Sequence, residues 1–97
     1  MYIVHNVFRT KPGKAKELVA KFKAASPHFH ELGVKNTRIL TDTVSTYWTV
    51  VVESEVDDLA SYIHNIESMG GNSELRAAMA GYMDLVDSGH RAIYKIE

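Results

Sequence analysis

The fold is decided by a short stretch of sequence, YIVHNVFR at residues 2–9, which reads as a β-strand. Successive side chains of a strand point to opposite faces of its sheet. One face then carries Ile3, His5 and Val7, and the other carries Tyr2, Val4, Asn6 and Phe8. Both faces are largely apolar, so neither is suited to water and each needs a cover.

The sequence that follows this strand alternates between helical and extended patterns. Residues 15–25 carry apolar side chains at helical spacing, and Ser26-Pro27 should kink or end this helix before Gly33. Residues 34–41 and 47–52 are rich in β-branched and aromatic side chains, which predicts two strands.

The second half of the chain repeats the order of helix and strand. Ser54 is expected to cap a helix whose apolar stripe begins at Leu59, and Gly70-Gly71 interrupts that stripe. A further helix should start at Asn72 or Ser73, continue inward-facing through Val86, and stop at Gly89. Residues 91–96 then close the pattern as a strand.

The resulting order predicts an α+β fold of the ferredoxin-like βαββαβ type, in a single domain over residues 1–97. Two interleaved strand–helix–strand units give a four-stranded antiparallel sheet with helices on one face. The other face is still apolar in the first and third strands. Covering it with the sheet of a second subunit predicts a homodimer through the sheet face.

Composition excludes several classes of protein. The chain has no cysteine, which rules out disulfides and thiolate zinc sites. Its net charge is −1, divided between eight Lys/Arg and two Glu in residues 1–40 and three Lys/Arg and ten Asp/Glu in residues 41–97. The basic half could bind phosphate, but its lysines lack interleaved aromatics, so we favour a basic helix lying beside an acidic one. We expect no nucleic-acid partner.

No signal-like or membrane-spanning apolar run is recognisable in the sequence. We therefore expect no membrane association and a cytoplasmic location. His28 and His30 are poorly spaced for a metal on a helix, so no metal site is expected either.

Two segments carry a resemblance to a known family. The first strand runs into FRTKPGK at residues 8–14 and then an amphipathic helix, and VVES at residues 51–54 leads into DLASY at residues 58–62. This pattern, which covers nearly the whole chain, resembles the dimeric α/β-barrel superfamily, in particular its antibiotic-biosynthesis-monooxygenase and NIPSNAP-like members. The resemblance implies a barrel of two packed sheets, with a cavity in each subunit between sheet and helices.

The resemblance also implies an activity. Some relatives oxidise phenolic or polyketide substrates with dioxygen and no cofactor, which makes this chain a candidate cofactor-independent monooxygenase-like enzyme for a small aromatic or apolar substrate. The alternative is a non-catalytic ligand-binding or structural homodimer. A haem-degrading branch uses a first-strand asparagine, a tryptophan on the second main helix and a later histidine. Asn6 and Tyr62 lie near the first two positions, but the histidine has no match, so haem degradation is less expected.

The polar candidates are few. Asn6 interrupts an apolar strand, and its amide could either orient a substrate carbonyl or phenolate or bond a neighbouring strand. His5 should face away from it. We take Asn6 and His64 as catalytic candidates, although His64 could equally lie at a solvated helix edge. The predicted lining of the pocket consists of Tyr47, Thr49 and Tyr62.

Overall fold

The computed structural model describes residues 1–68 and 72–97 and has the ferredoxin-like βαββαβ order. In chain order the elements are β1 (Tyr2–Thr10), α1 (Ala15–Ala25), a 3₁₀ helix (Ser26–Leu32), β2 (Val34–Thr41), β3 (Thr49–Val56), α2 (Leu59–Glu67), α3 (Ser73–Ala78), a second 3₁₀ helix (Tyr82–Leu85) and β4 (Val86–Lys95). The sheet is antiparallel with strand order β2-β3-β1-β4. The predicted α+β fold class is confirmed.

The core lies between one face of the sheet and the helices. Alternate residues of β3 point toward the helices, and Val50, Val52 and Val56 are buried there beside Val4 of β1. Leu18 of α1 is completely buried against the sheet. This face of the sheet is called the helix side below.

The other face of the sheet, called the open face below, has no helix over it. Val7 pairs with Val51, which pairs in turn with Leu40, so apolar side chains run across three strands. Leu40 is 39% exposed, and Tyr94 of β4 is 59% exposed. The open face is therefore apolar in part, since it also carries the bonded side chains of His5, Glu53 and Arg38.

The ends of the helices agree only in part with the sequence analysis. α1 ends at Ala25 before Pro27, and Gly33 closes the following 3₁₀ helix at φ 80°, as expected. Asn72 caps α3 by accepting from the Leu75 amide. The predicted cap at Ser54 is wrong because β3 continues to Val56. The predicted Gly70-Gly71 break lies outside the described residues.

The cap of α2 is Asp58 instead. Its carboxylate accepts hydrogen bonds from the amide and the hydroxyl of Ser61, and these bonds hold the pKa of Asp58 below its ordinary value. The negative charge also complements the N-terminal end of the helix dipole.

The last strand begins earlier than the sequence predicts. The chain leaves helical structure at Leu85, and Gly89 lies within β4 opposite Phe8 rather than ending a helix. A Cβ at Gly89 would lie 2.8 Å from the Val7 carbonyl oxygen. The glycine therefore permits a close approach of two strands.

Trp48 is a second local departure from expectation. Its alternation with Val50 and Val52 in the sequence predicts a core position, but it precedes β3 at φ 62° and is 43% exposed. Within the part of the chain that the structure describes, no helix has the length and apolar character needed to span a membrane.

Candidate functional site

A cavity of about 400 Å³ lies between the helix side of the sheet and the helices. Its floor consists of Val4, Asn6 and Phe8 from β1 with Val52 and Ser54 from β3. Its walls come from α1, the first 3₁₀ helix, α2, α3 and the segment leading to β4. Most of the lining is apolar, and the volume is within the range of small-molecule sites.

The helical wall of the cavity is held together by polar contacts between its elements. His28 Nδ1 lies 3.1 Å from Glu74 Oε2, and the Asn72 amide donates to Glu31, so two contacts join the first 3₁₀ helix to the α3 region. Lys21 of α1 donates to the carbonyl of Ala80. These contacts link three separate segments around one cavity.

Asn6 is the central polar group of the floor. It pairs with Arg91 of β4, and Arg91 Nε donates to Asn6 Oδ1 at 2.6 Å. A guanidinium can only donate, so the amide oxygen of Asn6 must face it. The Nδ2 group of Asn6, with its two hydrogens, is then the end of the amide that remains to donate to a ligand.

Ser54 is a second polar group of the floor, and a bulge in β2 satisfies it. The register of β2 against β3 shifts between Lys35 and Arg38, where Asn36 has φ 52°. The bulge brings Thr37 Oγ1 to 2.8 Å from Ser54 Oγ. One of these hydroxyls donates to the other, which leaves acceptor capacity beside the cavity.

The charged residues among the described lining are all of one sign. Arg76 and Arg91 both line the cavity. Among the described residues that line it there is no Asp, Glu or His. The charged side chains of the described lining are therefore both cationic.

Two of the five predicted site residues meet in this cavity. Asn6 lines its floor, and Tyr62 of α2, 3% exposed, lines its wall. His64 is exposed on α2 and does not line the cavity. A residue two positions along a helix is rotated by about 200°, so a buried Tyr62 directs His64 outward.

The other two predicted residues lie elsewhere. Thr49 is buried, and its hydroxyl donates to the Thr46 carbonyl while its amide donates to Asp42. Tyr47 is 78% exposed and lines a groove beside α1 together with Trp48. Neither lines the cavity under the helices.

His5 lies on the open face, away from Asn6. Its Nδ1 is 3.1 Å from Glu53 Oε2, and Arg38 also donates to the Glu53 carboxylate. The hydrogen bonds from Arg38 and then His5 hold the pKa of Glu53 below its ordinary value of 4.5. This network stands outside the cavity.

Sequence reasoning missed the two arginines. Arg91 was placed in a strand but not opposite Asn6, because the register of β1 against β4 is not visible in the sequence. The residues present also do not fit a histidine-ligated haem. No histidine lines the cavity among the described residues, and each of the five in the chain lies elsewhere.

Comparisons with known proteins identify the fold and not the activity. No protein-family model matches the sequence, and no curated protein matches it. Solved structures do match. An uncharacterised NIPSNAP domain protein from Burkholderia xenovorans superposes with a TM-score of 0.82 at 14% identity, over 100% of this chain and 95% of that chain.

Two further structures give the same picture. A NIPSNAP family protein from Agrobacterium tumefaciens matches with a TM-score of 0.84 at 13% identity, over 99% of this chain and 85% of that chain. A presumed antibiotic biosynthesis monooxygenase from Nitrosomonas europaea matches with a TM-score of 0.76 at 13% identity, over 99% and 98%. The chain therefore has the fold of the NIPSNAP-domain and antibiotic biosynthesis monooxygenase-like proteins, which confirms the subunit fold that the resemblance implied, while the barrel of two packed sheets stays a prediction.

Proposed function

We propose that this protein is a homodimer whose subunits each bind a small aromatic or apolar molecule, and that it oxidises that molecule with dioxygen and without a cofactor. The observation that carries the proposal is the apolar cavity with the Asn6 amide in its floor. A cavity with few, directed polar groups suits an apolar ligand with one or two oxygen atoms.

The open face supports the homodimer. Its apolar side chains would otherwise remain in water, and a second copy of the same face would bury them. Three of its polar side chains already bond one another within one subunit, because Glu53 bonds both Arg38 and His5. Covering this part of the face would leave none of the three without a partner, which lowers the usual cost of burying ionic groups. An interface of about 1,200–2,000 Å² is the size expected of a stable pair.

The cavity supports chemistry on an ionisable substrate. Asn6 Nδ2 would donate to a phenolate or enolate oxygen, and the adjacent guanidinium of Arg91 would favour the anion over the neutral form. The apolar walls would exclude water from the reactive carbon. Such an anion is electron-rich enough for dioxygen to act as the oxidant.

The overall reaction balances without an external reductant. A ring CH₂ becomes C=O, one oxygen atom enters the product, and the other leaves as water with the two hydrogens that the carbon loses. The substrate supplies all four electrons. The residues of this chain bind, orient and stabilise the anion, and none is required to change its oxidation state.

One observation favours the non-catalytic alternative. The described residues that line the cavity include no carboxylate or imidazole that could serve as a general base. If the substrate does not ionise beside the guanidinium of Arg91 alone, the same cavity would bind a ligand without turnover.

The experiment is oxygen uptake with 1,8-dihydroxyanthrone, with binding measured separately under nitrogen. We expect the wild type to consume oxygen faster than heat-unfolded protein does. Asn6→Ala should lower the rate by about tenfold or more, as loss of one oxyanion donor does. Asn65→Ala, which removes an asparagine of α2 outside the cavity lining, is the control and should leave the rate unchanged.

The outcomes separate the two functions. Binding without oxygen uptake would support the non-catalytic alternative. Absence of both binding and uptake in a folded wild type would overturn the proposed ligand class.

A further inference from the structure

We infer that the ligand of the cavity is an apolar or aromatic acid whose carboxylate is held by Arg91 and Asn6. The inference rests on the proposed function, because it assigns the ligand class of the same cavity. It goes further by requiring a negatively charged group on the ligand.

The first support is the balance of charge in the lining. Two guanidinium groups line a cavity of about 400 Å³ in which no described lining residue is acidic. An apolar pocket for a neutral ligand does not require cationic side chains in its lining. A ligand that carries one negative charge would complement the guanidinium of Arg91.

The second support is the geometry of Arg91. Its Nε donates to Asn6 Oδ1, and Asn6 is its bonding partner among the described residues. The two terminal nitrogens of the guanidinium therefore remain as a parallel pair of donors. Such a pair matches the two oxygens of a carboxylate in a bidentate, charge-assisted arrangement.

The third support is the way Asn6 is fixed. Because its oxygen accepts from Arg91, its amide nitrogen presents donors beside the same guanidinium. Asn6 and Arg91 together thus direct donors toward the cavity, while the amide oxygen of Asn6 faces Arg91. A set of donors around one point favours an anionic oxygen over a hydroxyl, which also needs to donate.

The position of these groups sets the orientation of the ligand. Arg91 is exposed, whereas Phe22, Val52 and Leu75 of the lining are buried. The carboxylate would therefore bind at the solvent-accessible end, where its loss of hydration is small. The apolar body would extend inward toward Phe8 and Phe22, whose ring centroids are 5.2 Å apart.

A structural role for Arg91 is the competing explanation. Its bond to Asn6 also joins β4 to β1, two strands that already pair through their backbones at this position. A purely structural contact would affect folding and all ligands alike. A recognition role would affect acids and leave neutral isosteres unchanged.

The test is calorimetric titration with 2-naphthoate and with its methyl ester. We expect the wild type to bind the acid about tenfold or more tightly than the ester, as one charge-assisted pair predicts. Arg91→Met should remove this preference by weakening the acid and leaving the ester unchanged. Arg9→Met is the matched control, because Arg9 is an exposed arginine of β1 outside the lining.

Asn6→Asp keeps the test decisive if Arg91→Met does not fold. It preserves the size of the side chain and the acceptor for Arg91 Nε, while it places a negative charge beside the ligand. We expect the acid to bind at least tenfold more weakly and the ester to change little.

The outcomes distinguish the carboxylate inference from the proposed function. Equal affinity of the wild type for acid and ester would overturn the carboxylate inference and leave the proposed apolar site standing. A folded Arg91→Met that weakens both ligands equally would assign Arg91 a structural role and overturn the inference too. Failure of both ligands to bind the wild type would overturn the inference and count against the proposed function as well.

Discussion

The two faces of the sheet differ in their cover, because helices lie over one face and not over the other. On the helix side, Val4, Val50 and Val56 are at most 1% exposed beneath the helices. On the open face, Leu40 and Tyr94 of the two edge strands remain 39% and 59% exposed. A sheet with apolar side chains on both faces and helices over only one leaves the apolar side chains of the other face in contact with water.

The difference separates two kinds of stabilisation. Contacts on the helix side are made within one chain, so their contribution does not depend on protein concentration. If a second copy provides the contacts on the open face, the stability that they contribute depends on protein concentration. The predictions below test this distinction, beginning with the largest expected effect.

Leu18→Ala should lower the free energy of unfolding by about 2–5 kcal/mol, because Leu18 is completely buried and the helices cannot collapse into the space left. Urea denaturation at two protein concentrations measures it. Leu40→Ala, the matched change on the open face, should cost far less in the dissociated subunit. Equal losses for the two variants in dilute protein would contradict the comparison.

Val7→Asp should convert the proposed dimer into monomers, because it would bury a charge without a partner at the centre of the open face. We expect the dissociation constant to rise by about 100-fold, which corresponds to about 2.7 kcal/mol. Sedimentation velocity over a dilution series measures it. Val44→Asp is the control, since Val44 is 94% exposed in the loop before β3. A wild type that sediments as a folded monomer would remove the basis of this prediction.

Gly89→Ala should destabilise the subunit by about 1–3 kcal/mol, because the new Cβ would meet the Val7 carbonyl oxygen and force β4 away from β1. Thermal unfolding compares it with Gly13→Ala. Gly13 has φ 78° but no atom near its Cβ position, so only conformational strain of about 1 kcal/mol is expected there. A Gly89→Ala protein as stable as the wild type would show that β4 can shift freely.

The positions of the strands could be predicted from the sequence better than the residues that face each other across neighbouring strands. β2 was predicted with its observed bounds, Val34–Thr41, because β-branched residues and flanking turn residues mark it locally. Gly89 was misassigned because a glycine that ends a helix and one that permits two strands to approach are identical in sequence. The choice depends on the Val7 carbonyl, which lies far away along the chain.

The candidate site shows the same limit. Asn6 was identified because an amide in an apolar strand needs a partner, which can be inferred locally. Its partner Arg91 was not, because a one-residue change in register would have turned Arg91 to the other face. His64 could have been placed by helical periodicity alone, since it lies on the opposite side of α2 from Tyr62.

The smallest effect concerns pH and again separates the two faces. The pKa of Glu53 is lowered in the folded protein by Arg38 and His5, whereas the described residues of the cavity lining include no carboxylate. A carboxyl group whose pKa is lower in the folded than in the unfolded protein stabilises the fold at pH values above the unfolded pKa. That contribution is lost as the pH falls through the folded pKa. The wild type should therefore lose stability on acidification below about pH 4.5.

Glu53→Gln should reduce the fall in the free energy of unfolding on acidification, because the variant has no carboxylate to take up a proton at this position. Urea denaturation between pH 7 and pH 3 compares the two proteins, with Glu17→Gln as the control for an exposed carboxyl of α1. The effect should be screened by salt, since Glu53 and Arg38 are partly accessible. If Glu53→Gln and the wild type lost stability in parallel, the ionic network of the open face would contribute nothing to folding. Its role would then be confined to pairing these three side chains on the face where we propose that a second subunit binds.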